Sequence, residues 1–329
     1  MQRRQFISMS AAGALLPIAG TYSQANATVI TKPSRLVVGF TAGGGTDTIA
    51  RMVADALRPD YPGGMIVENK PGAASRIAVE TVKASEPDGS TLLVTPDFPL
   101  TVYPHSFPKL SYDPLTDLVP VAPICIAGMA LCVGPAVPAS VKTAAEFMDW
   151  CKANPKQAVF GSPGPGSSFH FAGLMLGKVR GVDMTHIGYK GGAPALQDVV
   201  GGQIPSVVTS VGEASPFVKA GRLRILATFG AERDRFAPDA PTMVESGFKD
   251  VTAQAWVGVL APAKTPADVV NRTMLAVNRA VASSALAERL AGYSMRPLMM
   301  NTTQFDAMLR SDIDRWGPVV KASGFKAED

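Results

Sequence analysis

The segment Thr41-Ala42-Gly43-Gly44-Gly45-Thr46-Asp47 has the composition of an anion seat. It lies between a strand-like run, Arg35 to Phe40, and apolar residues at helical spacing, Ile49, Met52, Val53, Ala56 and Leu57. Glycines let the backbone approach a ligand closely. The first N–H groups of the following helix have no intrahelical acceptor and sit at its positive end. Asp47, like Thr46, is expected to cap that helix; a ligand contact is the other reading, weakened because a carboxylate repels an anion. Two more segments repeat the layout. Ser162-Pro163-Gly164-Pro165-Gly166-Ser167-Ser168 follows the strand-like Ala158 to Gly161, and Lys190-Gly191-Gly192 follows Thr185 to Tyr189. Ser162, Ser167 and Ser168 offer uncharged hydroxyl donors, Tyr189 a phenol and Lys190 a cation, a set that suits a carboxylate. Ser167 and Ser168 read equally well as caps of the helix that carries His170, and Lys190 as a solvated lip residue.

Other chemistries fail on spacing. Gly164-Pro165-Gly166 with Asp183 imitates a dinucleotide fingerprint, but Phe169 stands at the third glycine position and Asp183 precedes its strand. The Gly43 loop has no Walker lysine. His105, His170 and His186 form no metal spacing, and no G-x-S-x-G elbow surrounds a serine. His170 is expected to pack or hydrogen-bond in the first turn of its helix. No metal and no cofactor are expected.

The elements that must position these loops alternate strand and helix, the pattern of α/β layering with largely parallel sheets. Strands are expected at Arg35–Phe40, Met65–Glu68 and Thr91–Thr95, the last stopped by Pro96, with a helix over Ile77–Ala84. The apolar run Ala122–Val133 reads as a strand passing from one lobe to a second, with core inside one domain as the alternative. The second lobe repeats the grammar through Ala158–Gly161, Thr185–Tyr189, Ser206–Thr209 and Leu223–Thr228. Ala255–Ala261 is expected to cross back, ahead of two amphipathic helices. Two crossings make a hinge. Trp256 in that run is read as core, or else as an aromatic wall of the cleft.

The N-terminus carries Arg3-Arg4, an uncharged run Ser8–Ala19 and Ala25-Asn26-Ala27, the layout of a signal peptide cleaved after Ala27. Arg3-Arg4-Gln5-Phe6-Ile7 looks like a twin-arginine signal; the general route stays open. The formal charge of +4 comes from scattered Lys and Arg, which gives no reason to expect nucleic acid. Cys125, Cys132 and Cys151 match neither zinc nor redox spacing and read as buried thiols, with a Cys125–Cys132 disulfide as a minor alternative.

In several motifs in fixed order the sequence resembles the TctC-like, or Bug-type, periplasmic receptors of tripartite tricarboxylate transporters. The motifs are Thr41–Asp47, Val67-Glu68-Asn69-Lys70-Pro71-Gly72-Ala73, Ser162–Gly173, Met184–Gly191, Leu196–Gln203, Lys219–Arg224 and Gly258–Pro266. The resemblance implies a type II periplasmic-binding-protein fold: lobe 1 from residues 28–127 and 253–329, lobe 2 from 128–252. It implies a cleft that grips a small organic carboxylate between Phe40, Thr41, Ala42, Gly43, Gly44 and Gly45 on one side and Ser162–Ser168 with Tyr189–Gly191 on the other. It further implies a periplasmic monomer that catalyses nothing and delivers its ligand to permease subunits; a sensory receptor and a Ser167-dependent hydrolase are the alternatives. Family members that bind amino or dicarboxylic acids often carry Asp or Asn near Thr209. Thr209 and Ser210 therefore lean toward a neutral-tailed, plain or aromatic acid.

Overall fold

The computed structural model describes residues 30–327. The expected leader, its Arg3-Arg4 pair and its cleavage site lie outside the described residues.

The first sheet begins with β1 (Ser34–Val38), followed by α1 (Gly45–Leu57), β2 (Met65–Asn69), α2 (Arg76–Lys83) and β3 (Thr91–Pro96). Two one-turn helices, α3 (Phe98–Thr101) and α4 (Tyr103–Ser106), lead to β4 (Leu118–Ala127). Gly128 breaks the chain, and β5 (Met129–Val133) opens the second sheet. There follow α5 (Ala144–Ala153), β6 (Val159–Ser162), α6 (Ser168–Arg180), β7 (Thr185–Gly188), α7 (Gly192–Val200), β8 (Ser206–Ser210), α8 (Val211–Lys219) and β9 (Arg224–Thr228). The chain then returns to the first sheet with β10 (Ala255–Pro262), α9 (Ala267–Ala282), α10 (Ser284–Gly292), β11 (Met295–Pro297) and α11 (Thr302–Ser323).

The first sheet has the order β11-β4-β10-β3-β1-β2, the second β7-β6-β8-β5-β9. Each is a sandwich. In the first, α1 and α9 bury Ile49, Met52, Val53 and Val277 on one face, and α2 and α11 bury Val79, Val82, Phe305 and Leu309 on the other. This is the fold of two α/β lobes that the sequence pattern predicts.

The sheets are more mixed than expected. β1 runs parallel to β2 and β3, but β10 is antiparallel to β3 and β4, and β5 is antiparallel to β8 and β9. The reason is topological: β1 and β3 end at the boundary between the lobes, whereas β10 starts there because the chain is coming back. Ala255–Ala261 is thus not itself the crossing; it lies within the first sheet, and Ala253 and Gln254 precede it. Pro120 and Pro123 sit inside β4 because its register against β10 shifts beside each of them, where a ladder N–H is dispensable. The C-terminal part holds three helices and a short strand, one helix more than the apolar periodicity suggests, since Ser283 caps α10 directly after α9.

The lobes also share packing. Trp316 and Val320 of α11 belong to the same buried cluster as Phe171 and Leu176 of α6. Phe325 lies 5.0 Å from His170 and 5.6 Å from Phe171, ring centre to ring centre.

Candidate functional site

In the first lobe the glycine loop is held from behind by charge. Gly43 has φ +82°, a conformation that glycine adopts without penalty. Its N–H donates to Asp47 Oδ2 at 2.8 Å; Arg51 donates to both Asp47 oxygens at 2.9 and 3.0 Å. Asn69 Nδ2 donates to Asp47 Oδ1 at 2.9 Å and to the Phe40 carbonyl at 3.0 Å. Burial alone would raise the Asp47 pKa, but Arg51, the Gly43 N–H and the Asn69 amide outweigh it and hold the carboxyl below its ordinary value. Asp47 is 1% exposed.

Two expectations change here. Neither Thr46 nor Asp47 caps α1: the N-cap is Gly44, with no side-chain cap, and Asp47 reaches back to brace the loop. Asp47 is also fully engaged, which leaves it no free oxygen for a ligand. Phe40, Thr41, Ala42, Gly43, Gly44 and Gly45 keep partly or fully exposed surface. Asn69 was not singled out as a site residue, although its motif was; it links the ends of β1 and β2. Beside it, Ala73, Ala74 and Ser75 all have positive φ, a strained run that packs Ser75 onto Gly39.

The second lobe braces its loop with neutral groups. Ser162 Oγ lies 2.8 Å from His186 Nε2 and 3.1 Å from the Gly164 carbonyl. Ser167 caps α6, accepting from the His170 N–H at 3.3 Å while donating to the Gly164 carbonyl at 2.7 Å. His170 Nδ1 accepts from the Gly166 N–H at 3.2 Å, and its ring stacks on His186 at 3.7 Å. Burial, with His186 adding to it, pushes His170 down to about 3; burial pushes His186 down to about 4. Both imidazoles are therefore neutral near pH 7.

The serines thus serve the loop before any ligand: Ser162 and Ser167 have committed hydroxyls, and Ser168 is wholly buried. The Tyr189 phenol is likewise committed, donating to Asp198 at 2.6 Å. Burial first and that carboxylate second raise its pKa to about 12. Lys190 is exposed at the rim, and the Gly191 N–H is taken by the Pro163 carbonyl at 2.8 Å. α7 begins after Gly191 with no side-chain cap, the counterpart of α1 in the first lobe.

Thr209 is buried, and its hydroxyl donates to Glu213 Oε2 at 2.7 Å; Ser210 donates to the same oxygen at 3.1 Å and caps α8. The Glu213 carboxylate presses on Gly192, where a Cβ would lie 2.3 Å from it. The hydroxyls of Thr209 and Ser210 are thus both committed to a carboxylate of the protein itself. Ser210-Val211-Gly212-Glu213 has the S-x-x-E spacing of a capping box, the signal that could have found it.

Among the described residues no hydrogen bond joins the Phe40–Gly45 segment to the Ser162–Ser168 or Tyr189–Gly191 segments. An aromatic series connects them instead: Phe40 to Phe98 at 6.1 Å, Phe98 to Tyr103 at 5.7 Å, and Tyr103 under Gly166, whose added Cβ would lie 3.8 Å from that ring. Trp256 is core, with Nε1 donating to Asp312 at 2.8 Å. The three cysteines are free and buried, and burial raises each to about 12.

A cavity of about 490 Å³ lies elsewhere, lined by Gly128, Thr228, Arg233, Arg235 and Arg296. It sits on the β11 and β9 side of the crossing, whereas the glycine loops follow β1, β6 and β7 on the other side.

Residues 49–325 match the family described as "Tripartite tricarboxylate transporter family receptor". The chain belongs to that family. It is similar to the "UPF0065 protein in gbd 5'region" of Cupriavidus necator, at 34% identity over 98% of each chain. Among solved structures it resembles Rhodopseudomonas palustris Rpa4515 with adipate, with TM-score 0.80, 27% identity and 90% and 98% of the two chains covered. It also resembles MatC (Rpa3494) of the same organism with bound malate, with TM-score 0.76, 28% identity and 88% and 99% covered. Members of this receptor family are periplasmic solute-binding proteins of two lobes. Among the described residues no helix is long and apolar enough to cross a membrane.

Proposed function

We propose that the protein is exported, captures a small organic carboxylate between its lobes, and presents it to the permease subunits of a tripartite tricarboxylate-type transporter without catalysing a reaction. The observation that carries this reading is the uncapped, glycine-preceded start of α1, whose bracing carboxylate lies behind it. In a helix start without a side-chain cap the first N–H groups remain available to an anion. The adipate and malate held by two structural relatives support a carboxylate as that anion. The loop from Phe40 to Gly45 would meet the carboxylate from one side, and Gly166 with Tyr189–Gly191 from the other. Glu213 disfavours a second anionic group near α7 and favours a tail that is neutral or donates hydrogen bonds.

The chemistry argues against a serine hydrolase. Ser167 Oγ accepts from a backbone N–H and donates to a carbonyl, so it has no general base. Ser162 does meet His186, but it is wholly buried, and among the described residues no carboxylate hydrogen-bonds that histidine.

A thermal-shift screen with adipate, malate, succinate and benzoate, alongside amines and sugars, tests the proposal. A carboxylate at 100 times its dissociation constant should add about 2.7 kcal/mol to stability. A response confined to amines or sugars would refute it.

A further inference from the structure

Asp97, just after β3, and Ser168, at the start of α6, are buried polar side chains of different lobes that lie close to each other. The backbone of Asp97 is fixed: its N–H donates to the Trp256 carbonyl at 3.0 Å, and its own carbonyl accepts from the Leu100 and Thr101 N–H groups, each at 3.0 Å. Its side chain is 1% exposed, yet neither carboxyl oxygen makes a well-formed hydrogen bond with any described residue. Ser168 is wholly buried, and its hydroxyl is likewise without a well-formed bond. The hydroxyl nonetheless lies near enough to Asp97 to act on its ionisation. Buried polar groups are nearly always paired, because an orphan has lost its water without gaining a partner. One hydrogen removes the deficit: a protonated Asp97 donates to Ser168 Oγ, whose own O–H turns to the other carboxyl oxygen.

Burial favours that proton and outweighs the Ser168 hydroxyl and the N–H groups of Asp97 and Phe98, which favour the carboxylate. From α11, Asp312 faces Asp97; it accepts from Trp256 Nε1 and pairs with Arg315 at 3.3 Å. From α4 comes the Tyr103 phenol, whose own pKa burial raises, while His105 on the same helix is bonded to the Ile313 carbonyl. Arg76 of α2 acts on Tyr103 and lies over the Phe107 ring. No cation is among the groups that act on Asp97.

We propose that Asp97 and Ser168 form a proton-binding site that exists only while the lobes are closed, so that each carboxylate is captured together with one proton. This rests on the reading of the protein as a receptor that closes on its ligand. Burial pushes Asp97 up to about 8 in the closed arrangement, with Asp312 adding to it; opened to water, the carboxyl returns toward its ordinary value near 3.8. The sign follows. The closed form is favoured fully below the open-state value, and the advantage is lost as pH rises through about 8. Between these limits affinity falls up to about tenfold per pH unit.

Calorimetry with adipate at pH 6.5, in two buffers of different ionisation heat, reads the proton directly. Wild type should take up close to one proton per adipate. Asp97→Asn, neutral at every pH and still a donor to Ser168, should bind adipate and take up none. Equal uptake by both proteins overturns the proposal. If no carboxylate binds, the receptor reading fails separately, and small-angle scattering of the unliganded protein decides. Wild type should be more compact at pH 5.5 than at 8.5, with Asp97→Asn equally compact at both; the same pH response in both proteins overturns the proposal.

Discussion

The two loops before α1 and α6 do the same geometric job by opposite means. The Gly43 loop is tied by an ionised carboxylate, a guanidinium and an amide; the Ser162–Ser168 loop is tied by hydroxyls and two stacked neutral imidazoles. A brace of full charges holds the first helix start open, since Asp47 bonds behind the N-cap. The neutral brace closes the second, since Ser167 caps it. The contrast shows that a glycine-rich strand-to-helix turn does not define a ligand seat by itself. What matters is whether a side chain of the protein already occupies the helix start.

Breaking each brace measures the contrast. Asp47→Ala strands the Gly43 N–H, the Asn69 amide and Arg51, and should cost about 2 kcal/mol or more in chemical denaturation, together with carboxylate affinity. Acid should separate the loops next. His170 and His186 have pKa values depressed from 6.5, so their stabilisation is complete above 6.5 and is lost as pH falls through about 4. Asp47, also depressed, keeps its contribution until pH falls below its ordinary 3.8. Amide exchange at pH 7 and pH 5 should therefore show residues 162–170 losing protection while 43–51 retain it; equal loss would break the comparison. Ser167→Ala, which removes one cap, should cost about 1 kcal/mol, less than Asp47→Ala. Glu213→Gln should change stability by only a few tenths of a kcal/mol, because Glu213 is exposed. It should shift preference toward ligands with a second carboxylate, read as the ratio of malate to benzoate affinity.

The strands of both lobes were legible because apolar, β-branched runs such as Leu36-Val37-Val38 and Ser206-Val207-Val208 announce buried strands. The break at Gly128 was legible within its apolar run. The direction of β10 was not, because strand direction follows from where the chain has come from and not from its residues. Among site residues, the loops were found by glycine spacing and His170 by its place in a helix. Asp97, Asn69 and His186 escaped because their partners lie far off in sequence: Ser162 is 24 residues from His186, and Asn69 is 22 from Asp47. Ser162 and Tyr189 carry the right donors, but only side-chain direction shows that those donors are already used.

The aromatic seam between Phe325, Trp316 and the Phe171 side of α6 carries a kinetic consequence. Aromatic side chains bury about 150–250 Å² each, so separating the lobes exposes apolar surface worth several kcal/mol. A receptor that forms this seam as it closes must break it again before the ligand leaves. Its dissociation rate should then be set by how often the C-terminal helix lets go.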